Sequence, residues 1–176
     1  MVLYRRSRIQ GGAFFFTVTL ADRRSRMLVE HTDLLREAFR MVRRERPFRI
    51  EAMVVLPDHL HTIWTLPLDD NDYPSRWRAI KSRFTRAVRK RGVLLIPNAK
   101  GEYGLWARRY WEHTIRDDSD LQTHVNYIHY NPVKHDLVKR VADWPFSSFH
   151  RYVRLGWLGR DWAAAPSTED VGGFGE

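Results

Sequence analysis

The chain opens on an apolar run that alternates with threonine, Phe14-Phe15-Phe16-Thr17-Val18-Thr19-Leu20, which predicts a first strand. Leu34, Leu35, Ala38, Phe39 and Val42 then recur at helical spacing and predict a helix from Asp33 to about Arg46, capped by Thr32 and closed by Pro47. Arg49 to Leu56 and His59 to Leu66 read as two further strands, joined by the Pro57-Asp58 turn into a hairpin. A second long helix is expected from a Ser75 cap through Trp77, Ile80, Phe84 and Val88, stopped by Gly92. Residues 97–104 read as a loop, and Arg109 to Ile115 as a fourth strand. Ser119 and Gln122 form a capping box that opens a third helix, expected to end at Asn131 because Pro132 follows. A short helix after Ser147 is possible, and no internal repeat is visible.

Strand, helix, strand, strand, helix, strand, helix is an α+β plan: a ferredoxin-like antiparallel sheet with helices packed on it. The expected division is one domain over 1–155 and a C-terminal tail over 156–176, where Ala163–Ala165, Pro166 and glycines dominate. With 43% hydrophobic residues and seven Trp in 176, the composition is that of a chain with a real core. No apolar run reaches the ~20 residues of a membrane span, so a cytoplasmic, nucleoid-associated protein is expected. The absence of cysteine excludes disulfides and thiolate metal sites.

Lys and Arg number 30 against 21 acidic residues, a net charge of +9. Arginine supplies most of the excess, and its planar fork of donors matches phosphate, so a nucleic-acid partner is favoured over a merely solvated surface. Lys81 and Arg83, on the basic face of the second long helix, and Arg5, Arg6 and Arg8, beside the first strand, are expected to hold backbone phosphates. Arg108 and Arg109, interleaved with Trp106, Tyr110 and Trp111, suit an unpaired strand whose bases stack on aromatics.

Two constellations carry candidate chemistry. In His59-Leu60-His61, positions i and i+2 of a strand face the same way, so both imidazoles can reach one divalent cation while Leu60 packs behind. Tyr127 and Asn131, four apart, share a helix face that the expected stop at Pro132 places at an exposed helix end. Tyr127 offers a phenol nucleophile and Asn131 an amide oxygen. Taken singly, each set reads more readily as ordinary packing residues. A phenol, with a pKa of about 10, is a poor nucleophile at neutral pH without help, and a nearby cation supplies that help. His129 is expected at the surface or as a cap, His113 in a structural or DNA-facing place, and Tyr130 as a packing residue and the rival nucleophile.

Longer motifs surround both sets. Leu56-Pro57-Asp58-His59-Leu60-His61-Thr62-Ile63-Trp64 resembles the His-hydrophobic-His signature of the HUH endonuclease superfamily. Tyr127-Ile128-His129-Tyr130-Asn131-Pro132-Val133-Lys134-His135 resembles the tyrosine-helix motif of the REP-associated tyrosine transposases. Segments 106–117 and 144–149 are similar to the same family. The resemblance implies an HUH-type core in which His59, His61 and Asn131 hold Mg²⁺ or Mn²⁺. It implies that Tyr127 attacks single-stranded or hairpin DNA to leave a 5′-phosphotyrosine and a free 3′-OH, in a monomer or homodimer. The competing readings are a DNA-hairpin-binding protein that does not cut, and a metal-dependent phosphoesterase that uses water.

Overall fold

A computed structural model describes residues 9–162. Four strands, β1 (Ala13–Thr19), β2 (Arg49–Val55), β3 (His59–Thr65) and β4 (Trp111–Thr114), form one antiparallel sheet in the order β2-β3-β1-β4. The helices are α1 (Met27–Glu30), α2 (Thr32–Glu45), α3 (Tyr73–Lys90), α4 (Asp118–Lys134) and α5 (Phe149–Arg154). With α2 and α3 as the crossovers, this is the expected βαββαβ plan, and α4 is an addition to it.

Both faces of the sheet are covered, which explains the unbroken Phe14-Phe15-Phe16 run. Phe14, Phe16, Val18, Leu60 and Trp64 point toward α2 and α3, where Trp64 stacks on Trp77 with ring centroids 4.2 Å apart. Phe15, Ala52, Val54 and Ile63 point to the other face and pack against Val125, Tyr127 and Ile128 of α4. The β2–β3 register slips between Ile50 and Ala52. That irregularity lets Ile50 join the α2 side while Ala52 and Val54 serve the α4 side.

Several helix boundaries differ from those the sequence suggests. Asp72, not Ser75, caps α3: its carboxylate accepts from the Ser75 N–H at 3.1 Å, with Pro74 in the first turn. Asp117, not Ser119, caps α4 by accepting from the Asp120 N–H at 2.8 Å. Thr32 begins α2 without capping it, because its hydroxyl donates back to the carbonyls of Leu28 and Val29. The short helix α1 was not anticipated at all. The larger correction is at Pro132, which lies inside α4; the helix runs on to Lys134. It ends at Asp136, whose φ of 54° reverses the chain while the Leu137 N–H donates to the Pro132 carbonyl. β4 is shorter than expected.

The C-terminal part leans on the sheet edge. Phe146 and Ser148 bond the backbone of Val55 and Met53, and Ser147 bridges Val54. Trp157 packs edge-on against Tyr152, and Trp162 lies over Phe149, so residues up to 162 remain in contact with α5. The rest of the expected tail, 163–176, lies outside the described residues, as do Arg5, Arg6 and Arg8. No helix among the described residues is long and apolar enough to cross a membrane.

Candidate active site

β3 and α4 bring the two predicted constellations together. His59 and His61 are buried on the α4 face, with ring centroids 5.0 Å apart and planes at 83°. The Tyr127 ring meets His61 edge-on at 5.2 Å. Asn131 sits one turn further along α4, fully buried. Neither Tyr127, at 2% exposure, nor Asn131 lies on an exposed helix end as the sequence suggested, because α4 continues past both and packs down on β2 and β3.

Each imidazole is held through one nitrogen. His59 Nδ1 lies 2.8 Å from Asp58 Oδ1, so Nδ1 carries the proton that the carboxylate accepts. His59 Nε2 is buried and has no hydrogen-bond partner among the described residues. His61 Nδ1 lies 2.9 Å from Thr17 Oγ1, directly across the β1–β3 register. Burial alone would raise the Asp58 carboxyl. The hydrogen bond from His59, with Arg23 at 2.6 Å on the other oxygen, outweighs it and holds Asp58 below the usual carboxylate range. A buried imidazole with its Nδ1 tied to a carboxylate and its Nε2 unengaged is what a metal-ligating histidine requires, so these residues fit a divalent cation.

The far end of α4 closes over the same place. Lys134 Nζ donates to the Tyr127 hydroxyl at 3.4 Å and lies 5.0 Å from the ring centroid. His135 meets His59 edge-on at 5.2 Å. The near end of α4 is clamped to β4. Asp120 accepts from His113 Nε2 at 2.8 Å, the Arg116 N–H at 2.9 Å and Arg116 Nε at 3.2 Å. Burial would raise the Asp120 carboxyl, but these partners bring it down to about 2. His113, Asp120 and His124 form, among the described residues, a group whose possible ligand atoms lie within 4.8 Å of one another. His124 Nδ1, however, lies 2.8 Å from the Asp120 carbonyl and must carry a proton there. That nitrogen is a donor, and the bonds that Asp120 accepts from His113 and Arg116 form a hydrogen-bonded clasp for the helix start. His113, expected in a structural or DNA-facing place, is bonded to Asp120.

His129 is fully buried, not at the surface, with Nε2 2.9 Å from Ser148 Oγ and its ring against Tyr152. Tyr130 is half-buried and lines a separate cavity of about 260 Å³ with Val133, Val141 and Trp162. Of the basic residues singled out, Arg108 and Arg109 are exposed. Arg83 forms a two-pronged ion pair with Glu45 at 2.8 Å, and Lys81 donates to the Ala107 carbonyl beside the Trp106 and Tyr110 rings. Both therefore fasten α3 to its neighbours. Arg76, on the same helix, is buried and pinned to Asp70 and to the Pro47 carbonyl. The exposed basic residues of α3 are Arg78, Arg86, Arg89 and Lys90.

Residues 14–131 match the family described as "Transposase IS200 like". The chain is 51% identical over 160 residues to the REP-associated tyrosine transposase of Escherichia coli (strain K12), covering 91% of this chain and 90% of that one. It is 42% identical over 171 residues to a putative REP-associated tyrosine transposase of Haemophilus influenzae, covering 96% and 97%. A solved structure described as the REP-associated tyrosine transposase bound to a REP hairpin superposes with a TM-score of 0.88 at 48% identity, over 100% of this chain and 98% of that one. A β3 histidine pair packed against a tyrosine helix on one face of a ferredoxin-like sheet, with the family match, defines the class as a tyrosine transposase, a DNA nicking and joining enzyme. Within that class the chain belongs to the REP-associated tyrosine transposases.

Proposed function

We propose that this chain cuts and rejoins single-stranded DNA beside an imperfect hairpin, with Tyr127 as the nucleophile and His59, His61 and Asn131 as the ligands of a divalent metal, Mg²⁺ or Mn²⁺. The observation that carries this reading is the convergence of two imidazoles from β3 and one phenol from α4 on one buried spot, with His61 and Tyr127 5.2 Å apart. The hairpin substrate rests on the 48% identical relative described as bound to one.

A divalent cation held by His59, His61 and Asn131 would polarise the scissile phosphate and offset charge developing on it. Asp58 and Thr17 fix the two imidazoles through Nδ1, so Nε2 of each is the atom that would hold a metal. Tyr127 Oη attacks phosphorus, the bond from phosphorus to the 3′ oxygen breaks, and that oxygen leaves with a proton as a free 3′-OH. The 5′ phosphate stays on Tyr127. Because one phosphoester replaces another, attack by a 3′-OH reverses the step without an energy source. Packing of Tyr127 against His61 and Phe15 limits the phenol to a narrow range of directions, which favours in-line attack. Arg5, Arg6, Arg8, Arg108 and Arg109 grip backbone phosphates, and Lys81 and Arg83 hold the α3 surface that meets them.

The test is a cleavage assay on hairpin DNA with Mn²⁺, comparing the native chain with Tyr127→Phe and His61→Ala. Loss of the covalent adduct in both variants supports the reading. A native chain that binds the hairpin but forms no adduct would make it a binding module. Turnover that survives Tyr127→Phe but not His61→Ala would make water the nucleophile.

A further inference from the structure

Lys134 is solvent-exposed, and an exposed lysine normally gains by extending into water, where its four-carbon stem keeps its rotamer freedom. Here the stem folds back. Its ammonium reaches the Tyr127 hydroxyl at 3.4 Å and stands 5.0 Å from the ring centroid. The two residues are seven apart, two helical turns, and share a face only because α4 runs on through Pro132 to Lys134. The next residue, His135, meets the His59 ring edge-on at 5.2 Å, so the helix end packs against the histidine pair as well as against Tyr127.

We propose that Lys134 is a catalytic residue of the strand transfer: it directs the phenolic oxygen of Tyr127 by hydrogen bonding and places a fixed positive charge beside that oxygen while the bond to phosphorus forms and breaks. This rests on the reading of Tyr127 as the nucleophile. In the forward step Tyr127 Oη gains the bond to phosphorus and gives its proton to solvent, while the departing 3′ oxygen takes one up. In the reverse step the attacking 3′-OH loses its proton, the bond from phosphorus to Oη breaks, and the electron pair returns to Oη. Lys134 keeps all its protons in both directions. Its donor meets the oxygen on which negative charge is greatest when the phosphotyrosine bond is nearly broken, so rejoining depends on it at least as strongly as cutting.

The experiment uses the full chain with Mn²⁺ and hairpin DNA at saturation. Single-turnover rates of cleavage and of rejoining are measured for the native chain, Lys134→Met, Lys134→Arg and Tyr127→Phe, with hairpin affinity measured separately in EDTA. The expected result is a slowing of roughly 10- to 100-fold in both steps for Lys134→Met, with affinity within about twofold of native, and substantial rescue by Lys134→Arg. Since the residue is exposed, Lys134→Met should fold as the native chain does, and circular dichroism checks this. A Lys134→Met chain that cuts and rejoins at the native rate overturns the proposal. So does one whose only defect is weaker hairpin binding, which would make Lys134 a phosphate grip. Tyr127→Phe separates the two levels: if that variant still forms adduct, the nucleophile reading fails; if it does not while Lys134→Met is normal, only the role of Lys134 fails.

Discussion

Removing the Asp58 carboxylate should weaken divalent-metal binding without dismantling the hairpin that carries it. The carboxylate is 13% exposed and accepts from His59 Nδ1 at 2.8 Å, a charge-assisted bond that fixes which imidazole nitrogen is left for a metal. Bonds of this kind contribute about 1.5–3 kcal/mol. Loss of a partner that orients a ligating histidine typically lowers metal affinity by about 10- to 100-fold, or ~1.4–2.7 kcal/mol, so the two estimates agree. The turn itself should survive Asp58→Ala, because the Asp58 carbonyl still accepts from the Leu20 N–H at 2.7 Å and the Leu56 N–H still donates to the His59 carbonyl. The assay is a Mn²⁺ titration by calorimetry, with His61→Ala as the reference for a lost ligand. Asp58→Asn keeps an acceptor without the charge and should fall between Asp58→Ala and native. Arg23→Gln strips the ion pair from the same carboxylate but leaves the His59 bond, and should change affinity by no more than about fivefold. If Asp58→Ala binds Mn²⁺ as tightly as the native chain while His61→Ala does not, the carboxylate does not orient His59 for a metal and the reasoning fails.

Two further outcomes concern stability. Gly11 has φ +65°, and a Cβ there would lie 3.0 Å from the Leu68 Cα, so Gly11→Ala should lower stability by roughly 1–2 kcal/mol in urea unfolding. Burial, reinforced by the charges of Arg151 and His150, depresses His129 to about 3. Below about pH 6.5 the unfolded chain takes up a proton that the folded chain refuses, so stability falls as pH drops from there toward 3. His129→Gln, which keeps a partner for Ser148, should flatten the melting temperature across that range; an unchanged pH slope would contradict the assignment.

The strand plan and the histidine pair were legible because they rest on short-range rules. His59, His61 and Ile63 alternate with Leu60, Thr62 and Trp64, and that alternation assigns each set to a face wherever the strand pairs. Thr17 escaped notice because its place opposite His61 depends on the β1–β3 register, which links residues 44 apart. Asp58 was visible but read only as a turn former, since a carboxylate next to a histidine becomes its partner only when the turn curls back. The caps slipped because Asp72 and Asp117 stand just ahead of Ser75 and Ser119, and each carboxylate wins the orphan N–H groups. Pro132 misled in a more consequential way. A proline removes one helical hydrogen bond and normally ends a helix, but here the packing of α4 on β2 and β3 and the clasp at Asp120 hold the helix through it. Ending the helix at Asn131 hid Lys134, two turns from Tyr127. His129 was misjudged for a related reason: without the segment around Ser148 and α5, the face of α4 away from Tyr127 has no visible cover.

The most direct measurement is mass spectrometry of a protease digest after the full chain has reacted with cognate hairpin DNA and Mn²⁺. The account predicts a peptide whose mass is raised by a covalently linked nucleotide, with fragmentation placing it on Tyr127. Nicked DNA accompanied by a nucleotide on Tyr130, or by no modified peptide at all, would contradict it.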